Sequence, residues 1–71
     1  MTIRVTNTEN GINEEFKSNN LDFIRRSYTE FDDVQTMSED DYKKLAILIV
    51  KKRYTDTRFD NLEWTVTTEN D

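Results

Sequence analysis

The chain has no cysteine, no histidine and no proline, and its one glycine is Gly11. Without cysteine there is no disulfide to brace a small fold and no thiolate to hold a metal. Without histidine the commonest zinc ligand and the usual general base near neutral pH are both missing. A Gly-rich phosphate loop needs several glycines and is ruled out. The longest apolar run, Ala46–Val50, is far below the roughly 20 residues that span a bilayer. The first ten residues, MTIRVTNTEN, lack the charged-then-apolar order of a secretory signal. These absences predict a cytoplasmic protein with no cofactor, no metal and no membrane segment.

What is present is mostly charge. Of 71 residues, 15 are Asp or Glu and 10 are Lys or Arg, giving a formal net charge of -5. Phosphate affinity comes largely from Lys and Arg, so direct non-specific contact with nucleic acid or anionic lipid is disfavoured and basic partners are favoured. Apolar residues make up 34% of the chain, little enough that the expected single domain over residues 1–71 has a thin core. Large side chains are clustered nonetheless, at Phe16, Leu21, Phe23, Ile24, Tyr28, Phe31, Tyr42, Tyr54, Phe59 and Trp64. A folded, marginally stable domain, completed by self-association, follows from that balance.

The clearest element is a long amphipathic helix over about 39–54. Ser38 stands at the N-cap position and Asp41 three residues on, a capping box with Asp in place of Glu. Met37 and Tyr42 occupy the positions of a hydrophobic staple. Glu39, Asp40 and Asp41 load the first turn, and Lys51, Lys52 and Arg53 the last, so both ends complement the helix dipole. At about 100° per residue, Tyr42, Leu45, Ala46 and Ile49 share one face, and Ile47, Leu48 and Val50 carry the apolar surface far around the cylinder. So small a chain has little with which to cover the rest. A homodimer is expected, through part of this helix (Ile47, Leu48, Val50 and Tyr54) or through strand edges.

Before it, Ile3 and Val5 alternate with Thr2, Arg4 and Thr6, and Asn10-Gly11 is the favoured pair for a two-residue hairpin turn. That turn would set Val5 opposite Phe16. Asn19 or Asn20 could cap a short helix carrying Leu21, Ile24 and Tyr28 at helical spacing. Residues 28–37 read equally well as a turn of helix or as irregular chain. Leu62, Trp64 and Val66 alternate with polar residues and predict a C-terminal strand at about 61–67, beside the first, with Thr68–Asp71 frayed. The class is α+β: an N-terminal hairpin or strand, a short helix, the long helix and the final strand.

Candidate chemistry is sparse. Ser18, Ser27 and Ser38 have no histidine to activate them, and a catalytic carboxylate pair needs a pocket that this chain can hardly enclose. Asp56, Asp60, Asn61 and Glu63 have something of a calcium loop's spacing, but Arg58 replaces a ligand and the turn glycine is missing. The expectation is a protein that is not an enzyme. Lys51, Lys52, Arg53 and Arg58, interleaved with Tyr54 and Phe59, could touch DNA, although three of them are expected at a helix C-terminus in any case. Arg25 and Arg26 read as the solvated side of the short helix.

The acidic run TEFDDVQTMSEDD remains. Glu30, Asp32, Asp33, Glu39, Asp40 and Asp41 fall within twelve positions with no Lys or Arg among them. The helix start accounts for the last three, while the first three crowd an already negative entrance. If residues 30–32 are extended, Glu30 and Asp32 point the same way about 6.6 Å apart, near the charge spacing of a nucleic-acid backbone. In size, in the lack of Cys, His and Pro, and in this run, the chain resembles the small acidic proteins with which bacteriophages and other mobile elements disable host DNA-binding proteins. The resemblance implies a DNA mimic that occupies the DNA groove of a basic partner, such as a nucleoid protein like HU or a restriction or CRISPR nuclease, in the host bacterial cytoplasm. With ten basic residues the mimicry would be local, resting on those six carboxylates. The alternative is a small dimeric DNA-binding regulator that uses the basic end of the long helix.

Overall fold

A computed structural model describes residues 1–31, 33–54 and 63–70. The class is α+β. Strands β1 (Thr2–Asn7), β2 (Ile12–Lys17) and β3 (Thr65–Glu69) form an antiparallel sheet in the order β2-β1-β3. Helix α1 (Ser18–Ile24) follows β2 directly, and helix α2 (Glu39–Arg53) follows an irregular segment that contains two short 3-10 turns, Arg25–Ser27 and Thr29–Phe31. The final strand lies beside the first, as its alternation suggested, but it starts later and runs through Thr68 and Glu69, the residues expected to fray. Leu62 and the start of the predicted strand lie outside the described residues.

Alternation sorts the sheet into two faces. Ile3 and Val5 of β1 are fully buried, as is most of Phe16 on β2, and Val66 of β3 packs against the same cluster. Against this face lies α2 with Leu45, Ala46, Ile49 and Val50, and beside it α1 with Leu21. The opposite face carries Thr2, Arg4, Thr6, Asn13, Glu15, Lys17, Thr65, Thr67 and Glu69, opposed in register across the three strands.

The hairpin has a four-residue loop in place of the expected two-residue turn. Asn7 accepts a hydrogen bond from the Asn10 N–H at 3.0 Å, which winds Thr8–Asn10 into a 3-10 turn, and Gly11 closes it in the left-handed region at φ 66°. Ile3 therefore faces Phe16, and Val5 faces Glu14. The slip is two residues, so every side chain keeps its face. Asn7 is 6% exposed and also donates from its amide nitrogen to the Glu63 carbonyl at 2.9 Å, tying the hairpin to the approach of β3.

The short helix starts at Ser18, with Lys17 at the cap position and no side-chain cap, so neither Asn19 nor Asn20 caps it. It stops at Ile24, before Tyr28. Helix α2 ends at Arg53 and carries the full capping box: the Asp41 N–H donates to Ser38 Oγ at 3.2 Å, and the Ser38 N–H donates to Asp41 Oδ2 at 3.0 Å.

The apolar surplus on α2 is covered largely from within. Phe31 and Met37 are buried, and Tyr28 and Val34 pack against the same core. Arg25, expected on the solvated side, turns inward and donates to the Val34 carbonyl at 2.6 Å and the Gln35 carbonyl at 3.4 Å. A guanidinium thereby satisfies carbonyls that no helix or strand supplies with a donor. Truncating a buried core residue such as Leu45 to Ala should cost about 2–5 kcal/mol.

Candidate functional site

Of the six carboxylates predicted to act together, the five that are described fall into two groups beside buried anchors. Glu30 lies in the 3-10 turn Thr29–Phe31, next to buried Phe31, and Asp33 follows just after that turn. Glu39, Asp40 and Asp41 form the first turn of α2, two to four positions past buried Met37. The fold thus brings the last three together by helix geometry and pins both groups to the core through neighbouring apolar side chains. Because Glu30 is in a turn, the spacing worked out for extended chain does not apply to it. Asp32 lies outside the described residues.

Their electrostatics differ one from another. Asp41 belongs to the cap, where the Ser38 backbone N–H, then the Ser38 hydroxyl, hold its carboxyl below the ordinary value. Glu39 accepts a hydrogen bond from the Thr68 hydroxyl of β3. Glu30, Asp33 and Asp40 are exposed. Among the described residues none of these five forms an ion pair.

The carboxylates of the sheet are in the opposite state. Glu14 lies 3.3 Å from an Arg53 nitrogen and accepts from the Tyr54 hydroxyl at 3.2 Å. Glu15 is 3.8 Å from Arg4 and 3.7 Å from Lys17. Glu69 is 3.4 Å from Arg4. Asp22 on α1 accepts from the Tyr42 hydroxyl at 2.8 Å. Burial, and then that bond, raise the Tyr42 hydroxyl above its ordinary value; burial, and then Glu14, do the same at Tyr54.

The basic end of α2 is held against the protein itself. Lys52 sits 4.5 Å from the centre of the Tyr28 ring, and Arg53 stacks 5.6 Å from that of Phe16 besides pairing with Glu14. Lys51 is exposed, and Arg58 lies outside the described residues, as do Asp56, Asp60 and Asn61 of the calcium-like spacing.

The dimer residues predicted on α2 differ in how far the chain itself covers them. Val50 is fully buried in the chain's own core and can meet no partner. Leu48 packs against that core, and Tyr54 is tilted against Trp64 at 5.9 Å between ring centres, leaving both half-buried, as Ile47 is. The exposed large apolar side chain among the described residues is on α1: Phe23, 73% exposed.

Sequence reasoning missed the linkage of Glu14 with Arg53 and Tyr54, the role of Asn7, and Phe23. The Glu14 linkage and the bond from Asn7 to the Glu63 carbonyl join residues 39 to 56 positions apart and leave no local signal. Phe23 was legible only as an apolar residue, because its place off the Leu21–Ile24 stripe matters only once the helix is docked.

Among the described residues no helix is long and apolar enough to cross a membrane. Comparison with protein families, with characterised proteins and with solved structures gives no match.

Proposed function

We propose that this chain is a non-enzymatic inhibitor, of the kind bacteriophages make, that presents the acidic segment around residues 30–41 to a basic DNA-binding protein of the host cytoplasm and blocks its hold on DNA. The observation that carries this reading is the unequal treatment of carboxylates. Those of the sheet are paired with the protein's own cations, while Glu30, Asp33 and Asp40 are exposed and lack an ion pair among the described residues. Negative charge left without an internal partner, on chain anchored by Phe31 and Met37, is available to a cationic surface without first breaking an intramolecular pair. Lys52 and Arg53 are engaged internally, which favours this reading over direct DNA binding.

The test uses HU as the basic partner, bound to a labelled duplex. The chain should release the duplex, with an efficiency that falls steeply as salt rises. A variant carrying Glu30→Gln, Asp33→Asn and Asp40→Asn should fail to do so while keeping its circular dichroism. Asp41 is left intact because it caps α2. Should HU keep its DNA, capture from a bacterial lysate at low and high salt decides whether another basic protein is bound. Release by the triple variant equal to that by the parent, or capture only of salt-insensitive partners, ends the reading.

A further inference from the structure

Among the described residues β2 is an edge strand, with β1 on one side only. An edge presents unpaired backbone donors and acceptors and is a template for another strand. Beside the C-terminal end of this edge is an open groove of about 350 Å³ lined by Glu15, Phe16, Asn20, Phe23, Ile24 and Arg53. It contains Phe23, the large apolar side chain that the domain leaves 73% exposed. Apolar surface and a strand edge that no other described strand covers therefore coincide.

The charges of β2 say what can cover it. Two copies of a strand related by a two-fold axis pair antiparallel, and each register sets a different residue opposite its own copy. Centring on Glu14 or on Glu15 would face two identical carboxylates, which is destabilising. Centring on Phe16 sets Phe16 against Phe16 and puts Glu15 of each copy opposite Lys17 of the other. On their own strand these two charges share the open face of the sheet and stand half exposed, at 47% and 50% of their side chains. The β3 edge offers no such match, since its one charge, Glu69, would face Thr65.

We infer that a second copy of this chain occupies the β2 edge, in the register centred on Phe16, joining two three-stranded sheets into one of six. Glu15 and Lys17 exchange ion pairs across the axis, and Phe23 of each protomer covers the groove of its partner. This gives the self-association expected from the sequence a different surface from the α2 face, and it stands apart from the acidic-surface reading, because no residue is shared between the two.

The test is sedimentation equilibrium on the parent chain and on two single variants, Lys17→Glu and Glu15→Lys. The parent should dimerise. Each variant alone opposes like charges and should dimerise at least about tenfold more weakly. Their equimolar mixture should recover a dimer, because positions 15 and 17 on the open face of β2 are both acidic in one variant and both basic in the other. Loss of fold in a variant cannot produce that recovery. Amide shifts on diluting the parent should fall on residues 14–24 and spare Ile47 and Leu48. A monomeric parent, either variant dimerising as well as the parent, or a mixture no more associated than its components would overturn the inference. Phe23→Ser, altering a side chain outside the core, should also weaken the dimer, and unchanged association there counts equally against it. Competition with DNA for HU reads the other surface and can succeed or fail independently.

Discussion

Two acidic regions of this molecule hold similar side chains in opposite circumstances. On the sheet, Glu14, Glu15 and Glu69 are each within 4 Å of Arg53, Arg4 or Lys17. At the entrance to α2 and the turn before it, five carboxylates stand without an ion pair among the described residues, two of them held by a cap or a hydroxyl. The difference lies in what the fold places opposite. Cross-strand register brings Arg4 to Glu15, and Glu69 brings a second carboxylate to the same guanidinium, whereas in the acidic segment Asp41 meets the Ser38 cap and Glu39 the Thr68 hydroxyl, neither of them a cation. The sheet carboxylates are neutralised within the fold, while Glu30, Asp33 and Asp40 are exposed and lack an ion pair among the described residues.

Substitutions can break that contrast. The largest effect is expected from Glu30→Gln, Asp33→Asn and Asp40→Asn together, which should cost about 3 kcal/mol of partner affinity, roughly 150-fold, in a DNA-release titration. Stability in urea should change by no more than about 0.5 kcal/mol, because none of the three has a charged partner to lose. The mirror experiment is Glu14→Ala, which removes the acceptor of Tyr54 and the partner of Arg53; it should lower stability by about 1–2 kcal/mol and leave the titration unmoved. Ser38→Ala unmakes the cap beneath the acidic turn and should lower stability by about 1 kcal/mol.

A smaller effect is tied to pH. The folded Asp41 carboxyl titrates below its ordinary value of 3.8, so its contribution is complete above that value and is lost as pH falls through the lower, folded one. Acid unfolding followed by circular dichroism should therefore be blunted by Asp41→Asn. Smallest of all, Glu15→Gln or Glu69→Gln should each shift stability by less than about 0.5 kcal/mol, since their pairs with Arg4 are at the surface. If either sheet variant weakens partner binding as much as the acidic triple does, the division between the two regions fails.

The parts legible in the sequence are those whose physics is local. Ser38 and Asp41 are three positions apart, and the cap they form needs nothing from the rest of the chain. The alternation of Ile3 with Val5 fixed which face of β1 is buried, and it survived a two-residue slip because the side-chain period is also two. The slip itself was not legible, since Asn10-Gly11 favours a tight turn and only the side chain of Asn7, reaching both Asn10 and the Glu63 carbonyl, draws the loop out to four residues. The apolar surplus of α2 does need a cover, as its composition indicates. A partner is the cover that the sequence suggests, because the segment 25–37 has no periodicity to announce that Phe31 and Met37 are buried in the same core as the helix, or that Arg25 ties the segment to itself.

Composition and spacing alone determined the absence of thiol and imidazole chemistry, the capped helix, the half-buried strands and the position of the acidic run, because these follow from residue type and from contacts within a few positions. Only the tertiary structure decided which charges are neutralised. A salt bridge needs a separation of a few ångströms, and residues such as Glu14 and Arg53 come that close only when a helix end settles onto a sheet edge.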